Sequence, residues 1–487
     1  MPRIGVKFCR RPSRGEGQVL KRERAAVTAV MIVAVLLRVY EVFRFPFEQD
    51  ELYTIDEATN LFHTRLLPGI QARPFFFLLE HPFLKLAAPT EPFVRFLPLL
   101  FGVAGAWVTW RLARDLAGPV TGLIALVLVA ISPWHLYVSG FGRYYSLLYL
   151  LAALVYWRLP KAYDLDRPKV YLGVLAPLFI GAWTHPSFVF PVIGAALAVS
   201  IFQPDGHTRF RWPTLTAWIW LWGPFLGFSV IVAAIIRMIH HVTTVGNGGD
   251  RGVPAMLRLV PAMVDWMTLL VAASAVAGIV LMIRSESAEK HRFGWTAVFG
   301  CVFTLLALVA LSFSTAIYAD YGVSALPLLI VAAAYPVGWL AENLGPALAS
   351  AGSKAVAWIL IIGILPSTAS HLSDGTRFDY RPALSEINAI APSIEVLAWP
   401  VAIQRAYDPA LHSREMPSSV AGLDSALHQY RDLWAIASVK RYGMVGDDTG
   451  EMARWFWQNC RKKSEYQRPR LDYRIYRVDL WRCTVGE

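Results

Sequence analysis

Charge is scarce in this sequence: only 17% of its 487 residues are Asp, Glu, Lys or Arg. With 55% of residues apolar and a mean hydropathy of +0.43, the chain cannot be a soluble globular protein. Missing also are a Walker-type phosphate loop, a dinucleotide fingerprint, internal repeats, low-complexity tracts and the ligand spacing of a structural metal site. Nothing in the chain therefore reads as a nucleotide-binding or metal-stapled fold. A transporter or lipid flippase, the competing class, would carry ionisable residues near mid-membrane in paired halves. Here the apolar runs are nearly free of charge at their centres and no internal symmetry relates the halves.

What is present is a series of apolar runs long enough to cross a bilayer. About eleven fall at 25–43, 93–112, 119–138, 144–158, 170–185, 187–202, 214–236, 261–283, 295–317, 322–340 and 355–366. The first 24 residues carry eight Lys/Arg and two Glu, which keeps the amino terminus in the cytoplasm. Alternate loops at 111–115, 158–169, 204–212 and 284–292 are then inside, and all are basic. The net charge of +11 is thereby accounted for without nucleic acid.

The chain divides into a basic cytoplasmic leader (1–24), a membrane block (25–366) with a long first outer loop (44–92), and a polar extracytoplasmic tail (367–487). The predicted fold is an α-helical polytopic membrane protein with a small C-terminal α/β domain. In that tail Ala383–Ile390 and Glu451–Cys460 read as helices. Ile394–Trp399 and Leu433–Val439 read as buried strands, and Leu471–Trp481 as an edge strand. Cys9 is cytoplasmic and Cys301 lies in a span, so neither pairs. Cys460 and Cys483 both fall in the tail, where they form a disulfide or remain two thiols. In the outer loop, Thr54-Ile-Asp-Glu57 reads as a capping box opening a helix.

Polar residues gather at the outer ends of the spans. Asp50-Glu51 follows the first span, and Arg73-Pro74 and Glu80-His81-Pro82 lie in the outer loop. Arg95 starts the second span, and Ser132-Pro-Trp-His-Leu-Tyr-Val-Ser139 leads into Arg143-Tyr-Tyr145-Ser146; Thr184-His185-Pro186 forms a later outer turn. Arg and Tyr suit a phosphate leaving group, and a carboxylate beside them suits removal of a proton from an acceptor hydroxyl. The bland readings are Asp50 as a helix cap, Glu51 as a first-turn acid, the arginines as interfacial anchors, the histidines as partners of backbone carbonyls and Tyr145 as an aromatic-belt residue.

Asp50-Glu51-Leu-Tyr, Arg73-Pro74-Phe-Phe-Phe-Leu-Leu-Glu-His81 and Glu91-Pro-Phe-Val-Arg95 resemble the first-loop pattern of GT-C fold glycosyltransferases. The likeness is to the branch of protein mannosyltransferases, lipid A aminoarabinose transferases and lipopolysaccharide-core galacturonosyltransferases. It covers about residues 45–190, continuing through Arg143-Tyr-Tyr145 and Thr184-His185. The resemblance implies transfer of a sugar, with inversion, from a polyprenyl-phosphate donor to a lipid, glycan or protein acceptor, on the outer face of a bacterial cytoplasmic membrane. It implies Asp50 as base, with Glu51 beside it, and Arg73, His81, Arg143, Tyr145 and His185 around the donor phosphate. Pro74-Phe75 stands where relatives often have Pro-Pro, and Ala72 where aminoarabinose transferases have an acid. Both departures speak against carrying over their substrate or a metal site, and a divalent-cation requirement stays open. An inactive envelope-assembly protein with the same fold is the remaining alternative.

Overall fold

The computed structural model describes residues 14–484 apart from 62–73, 203–211, 213, 228–251, 314–316, 345, 391–394, 399–400, 410–412, 441–442, 446, 448 and 473. Among the described residues, five helices are long and apolar enough to cross a membrane, or six if the bent pair Gly252–Met267 and Leu269–Ile283 counts as one span. Of the other predicted spans, three appear as the helices Tyr145–Leu165, Pro168–Thr184 and Val189–Ile201, and the second half of the span predicted at 214–236 lies outside the described residues.

Two predicted spans join in one element, Phe96–Ile131, broken at Ala117 and Gly118. Gly118 has φ +84°, a conformation that a side chain disfavours, and Pro119 then restarts the helix with its φ already set. The break is a tight turn between two apolar passes. Contacts near it bring three of the four loops predicted to be inside, around residues 114, 164 and 290, to one end of the bundle, while the loop at 204–212 lies almost wholly outside the described residues. Arg114 Nε donates to Glu23 of the leader at 2.5 Å, Arg292 grips Asp164 with both terminal nitrogens at 2.8 and 2.7 Å, and Lys290 reaches Glu342 at 3.1 Å.

Beyond the last long helix, Pro346–Asp374, the chain forms a six-stranded sheet. Its strands are β1 (Val396–Ala398), β2 (Ser413–Glu415), β3 (Asp432–Lys440), β4 (Gly443–Met444), β5 (Cys460–Gln467) and β6 (Arg477–Thr484). The order is β2-β1-β3-β6-β5, with β4 paired to the end of β3. β1 runs parallel to β2 and β3, the helices Val401–Tyr407 and Val420–Tyr430 making the crossovers. β6 is antiparallel to both β3 and β5.

Alternation along β3 builds two cores. Leu433, Ala435 and Ala437 pack on one face with Leu423, Phe456 and Trp481. Trp434 and Ile436 pack on the other with Leu384, Ile387 and Leu480, and Leu52 of the outer loop closes over that second core. The sheet is therefore docked on the membrane block rather than tethered to it.

The predicted edge strand is corrected. Of the predicted Leu471–Trp481, only residues 477–481 fall in a strand, β6, which lies between β3 and β5 with Val478 and Leu480 fully buried. The true edge is β5, whose Arg461-Lys-Lys-Ser-Glu-Tyr run alternates exposed and half-buried residues along its length. A strand with neither face fully covered carries no apolar stripe to read. Cys460 and Cys483 are register partners on β5 and β6 and form a disulfide. It closes a 23-residue separation, so replacing both by Ser is expected to cost the tail about 3 kcal/mol of stability. Thermal unfolding of the purified protein with and without reductant is the check, and the double variant should lose all sensitivity to reductant.

Candidate active site

Asp50 and Glu51 lie in the first turn of the helix Gln49–Thr59, whose N-cap is Glu48, six residues earlier than the predicted capping box at Thr54. The reciprocal pair is Glu48 and Glu51: the Glu48 backbone donates to Glu51 Oε2 at 2.9 Å, and the Glu51 backbone to Glu48 O at 3.0 Å. Thr54 is thus mid-helix, its hydroxyl donating to the Asp50 carbonyl at 3.1 Å.

Helical spacing then sends the two adjacent acids in different directions. Glu51 is fully buried, and Arg95 grips it with Nε on Oε1 and Nη2 on Oε2, both at 2.7 Å. The Gly142 amide donates to Oε1 at 2.6 Å, and Arg377 Nη1 lies 3.7 Å from Oε2. A Cβ on Gly142 would come within 2.6 Å of Val94, so only glycine lets that amide approach. Burial favours the neutral carboxyl, but the Arg95 guanidinium outweighs it and holds Glu51 below the usual carboxylate range.

Asp50 instead faces a cavity of about 520 Å³ between the membrane block and the sheet domain. Its side chain is 47% exposed, and Arg143 Nη2 stands 3.4 Å from Oδ2 while Nη1 donates to Thr54 Oγ1 at 3.2 Å. Tyr145 lines the same cavity, stacked parallel to Phe141 with ring centres 6.1 Å apart. Glu48 adds a second acid, accepting from the Tyr137 hydroxyl at 3.0 Å, and Asp320 a third. Burial first, then the neighbouring Glu51 and Asp50 charges, raise the Glu48 carboxyl despite Arg377. Among the described residues, no group of three His, Cys, Asp or Glu side chains is arranged to hold a metal ion.

Comparison with known proteins fits this geometry. Residues 71–236 match the family model of dolichyl-phosphate-mannose-protein mannosyltransferases, about a third of the chain. The whole fold is similar to the crystal structure of ArnT from Cupriavidus metallidurans in the apo state, with a TM-score of 0.52 at 14% identity over 96% of this chain and 98% of that one. A lesser likeness, TM-score 0.49 at 11% identity over 84% of this chain and 69% of the other, is to the archaeal oligosaccharyltransferase AglB from Archaeoglobus fulgidus. No curated protein matches the sequence. The chain is a membrane glycosyltransferase of the GT-C fold.

Not every predicted site residue of this glycosyltransferase reaches the cavity. Asp50, Arg143 and Tyr145 line it; Glu51, His81 and His185 do not, and Arg73 lies outside the described residues. His81 is buried, with Nδ1 donating to the Ala58 carbonyl at 2.6 Å, which ties the helix Pro74–Leu86 to the helix bearing Asp50. His185 sits behind the wall, stacked on Tyr144 at 4.9 Å and beside Tyr321 at 5.1 Å, with Ser187 Oγ 2.7 Å from its Nδ1.

Three residues of consequence carried no motif. Glu48 stands two places before Asp50. Asp320 follows the ninth predicted span among the polar groups at the span ends, with no motif around it. Arg377 sits just past the last long helix, where it touches Glu41 at 3.4 Å and donates to the Pro46 carbonyl at 3.4 Å. Arg95 is at least suggested by its place at the start of a span, where an arginine needs a buried partner.

Two measurements follow from these contacts. Glu51→Ala would leave Arg95 and Arg377 without their shared carboxylate in a fully buried setting, so a loss of about 3–5 kcal/mol is expected. Thermal unfolding in detergent should show it, with little folded protein recovered. Glu80 is the second case: it is fully buried, neither carboxylate oxygen has a hydrogen-bond partner among the described residues, and burial pushes its pKa up to about 8 from 4.5. Its folded form holds a proton more tightly than its unfolded form, so its contribution is complete below pH 4.5 and is lost as pH rises through about 8. Glu80→Gln should accordingly match the wild type at pH 5 and exceed it at pH 9 by on the order of 2–4 kcal/mol. Equal pH dependence of the two unfolding curves would refute the assignment.

Proposed function

We propose that this glycosyltransferase transfers a sugar from a polyprenyl-phosphate carrier to an acceptor hydroxyl outside the cytoplasm, with Asp50 as general base and inversion at the anomeric carbon. The observation that carries the reading is the meeting of Asp50 and Arg143 on one cavity at the join of the membrane block and the sheet domain. The family match supports the donor class, since the proteins it describes use dolichyl-phosphate mannose. The basic leader at the opposite end and the disulfide in the tail support a multi-pass arrangement with the cavity extracytoplasmic, in the cytoplasmic membrane of a bacterium.

In this scheme the acceptor oxygen attacks the anomeric carbon from the side opposite the phosphate. The carbon–oxygen bond to phosphate breaks, its electron pair leaves with the polyprenyl phosphate, and the acceptor proton passes to Asp50. Arg143 is available to the leaving phosphate because its 3.4 Å contact with Asp50 is long for a charge-assisted pair. An incoming phosphate competes for that guanidinium and frees the carboxylate for the acceptor. Arg73 joins Arg143 at the phosphate, while Tyr145 lines the donor side. Glu51, His81 and His185 act from behind, fixing the helix and the aromatic wall that present these groups. Lipid, glycan and protein hydroxyls are all chemically suitable acceptors.

The test is Asp50→Asn, assayed by transfer of radiolabel from a polyprenyl-phosphate sugar. Transfer should fall by at least about 100-fold. The yield and melting temperature should stay close to wild type, because the side chain is half exposed and its one ion pair is loose. Near-normal transfer by the variant would remove Asp50 as the base.

A further inference from the structure

One wall of the cavity comes from outside the membrane block: Phe378, Tyr380, Ser438, Lys440, Val445 and Tyr476 all lie beyond the last long helix. The strand β3 supplies its polar part by simple alternation. Trp434 and Ile436 point into the core beneath the outer loop, and Ser438 and Lys440 continue the same face past the edge of that core into the cavity. Ser438 is buried and bonded to the Tyr380 hydroxyl at 2.6 Å, so the strand end is held in place there. β4 pairs with the same end, Gly443 opposite Lys440.

Lys440 is unlike the other cations around it. Lys462 has Glu465 at 2.5 Å, Arg381 and Arg468 share Asp379 at 2.8 and 2.9 Å, and Arg482 has Asp432 at 2.8 Å. Lys440 makes no ion pair or hydrogen bond among the described residues; its Nζ lies 5.8 Å from the Phe378 ring centre. It nevertheless lines a cavity whose other charged groups are Glu48, Asp50, Asp320 and Arg143. Three carboxylates against two cations make a poor site for an anion if Arg143 alone must hold it: a phosphate reaches that guanidinium only in competition with Asp50, whereas Lys440 has no such contact to give up.

We propose that Lys440 is a substrate-binding residue, its ammonium taking a phosphate oxygen of the substrate, so that the sheet domain completes the transfer site rather than merely covering it. The inference rests on the reading of this cavity as the site of transfer. The phosphate belongs either to the donor lipid or to a phosphorylated glycolipid acceptor, and the experiment separates them.

Binding to the purified full-length protein would be measured in detergent for undecaprenyl phosphate and, separately, for diphosphorylated lipid A. The variants are Lys440→Gln and Lys440→Arg, with melting temperature as the folding control. Loss of one charge-assisted contact predicts about tenfold weaker binding of one probe by Lys440→Gln, and largely retained binding by Lys440→Arg. Weakening confined to undecaprenyl phosphate assigns the contact to the donor, and weakening confined to lipid A assigns it to the acceptor. If the wild type binds a probe and Lys440→Gln binds both equally well, the role of Lys440 is overturned while the reading of the site stands. If the wild type binds neither probe, both the reading and this inference fall.

Discussion

A buried cluster of charge sets the shape of the active-site loop. Glu41 near the end of the first helix, Glu51 in the outer loop, Arg95 at the start of the next pass and Arg377 past the last long helix are all fully buried, and they are joined by contacts of 2.7–3.7 Å. Arg95 also donates to the carbonyls of Phe45 and Pro46, at 2.7 and 2.6 Å, and His371 lies 2.8 Å from Glu41. The end of the first helix and two segments distant in sequence, around Arg95 and at 371–377, thus converge on residues 45–51. Charges this far from water survive only when paired and hydrogen-bonded, so no segment can shift alone without stranding a charge.

That arrangement explains the different fates of two neighbouring acids. A hydrophobic junction of the same volume could be as stable, yet it would leave the loop free to slide against its neighbours. The fork of Arg95 on Glu51 fixes position and orientation together. With the backbone of residue 51 locked, residue 50 has one place to be, and its carboxylate is left half exposed above the cavity. Glu51 therefore holds the loop from below, and an acid pair that reads as two candidates for one task divides into a cavity-facing carboxylate and its buried anchor.

The helical bundle and the mixed tail domain were legible because each rests on a strong local signal, long apolar runs or period-two alternation. That Asp50, Arg143 and Tyr145 meet on one cavity could be anticipated because a motif flanks each of them. The edge strand β5 was not legible, since a polar run paired on one side has nothing to distinguish it from a loop. Glu48, Arg377 and Lys440 were opaque for another reason: each matters through a partner remote in the sequence, Tyr137 for Glu48 and Glu41 for Arg377, or through a cavity that exists only once the domains dock. The capping box was misplaced because Thr54 and Glu57 satisfy the same pattern that Glu48 and Glu51 satisfy in fact.

The docking of the sheet domain follows from its own core. Trp434, Ile436 and Leu480 form a face that Leu52 helps to close, and the Tyr407 hydroxyl accepts from the Phe47 amide at 2.5 Å while donating to Glu91 at 2.6 Å. The same strand that buries apolar residues against the loop therefore delivers Ser438 and Lys440 to the cavity a few ångströms farther on. Separating the two units would expose an apolar face and strand Arg377 between Glu41 and Glu51 at once. Membrane block and sheet accordingly enclose one cavity: the first holds Asp50 and the second supplies the facing wall.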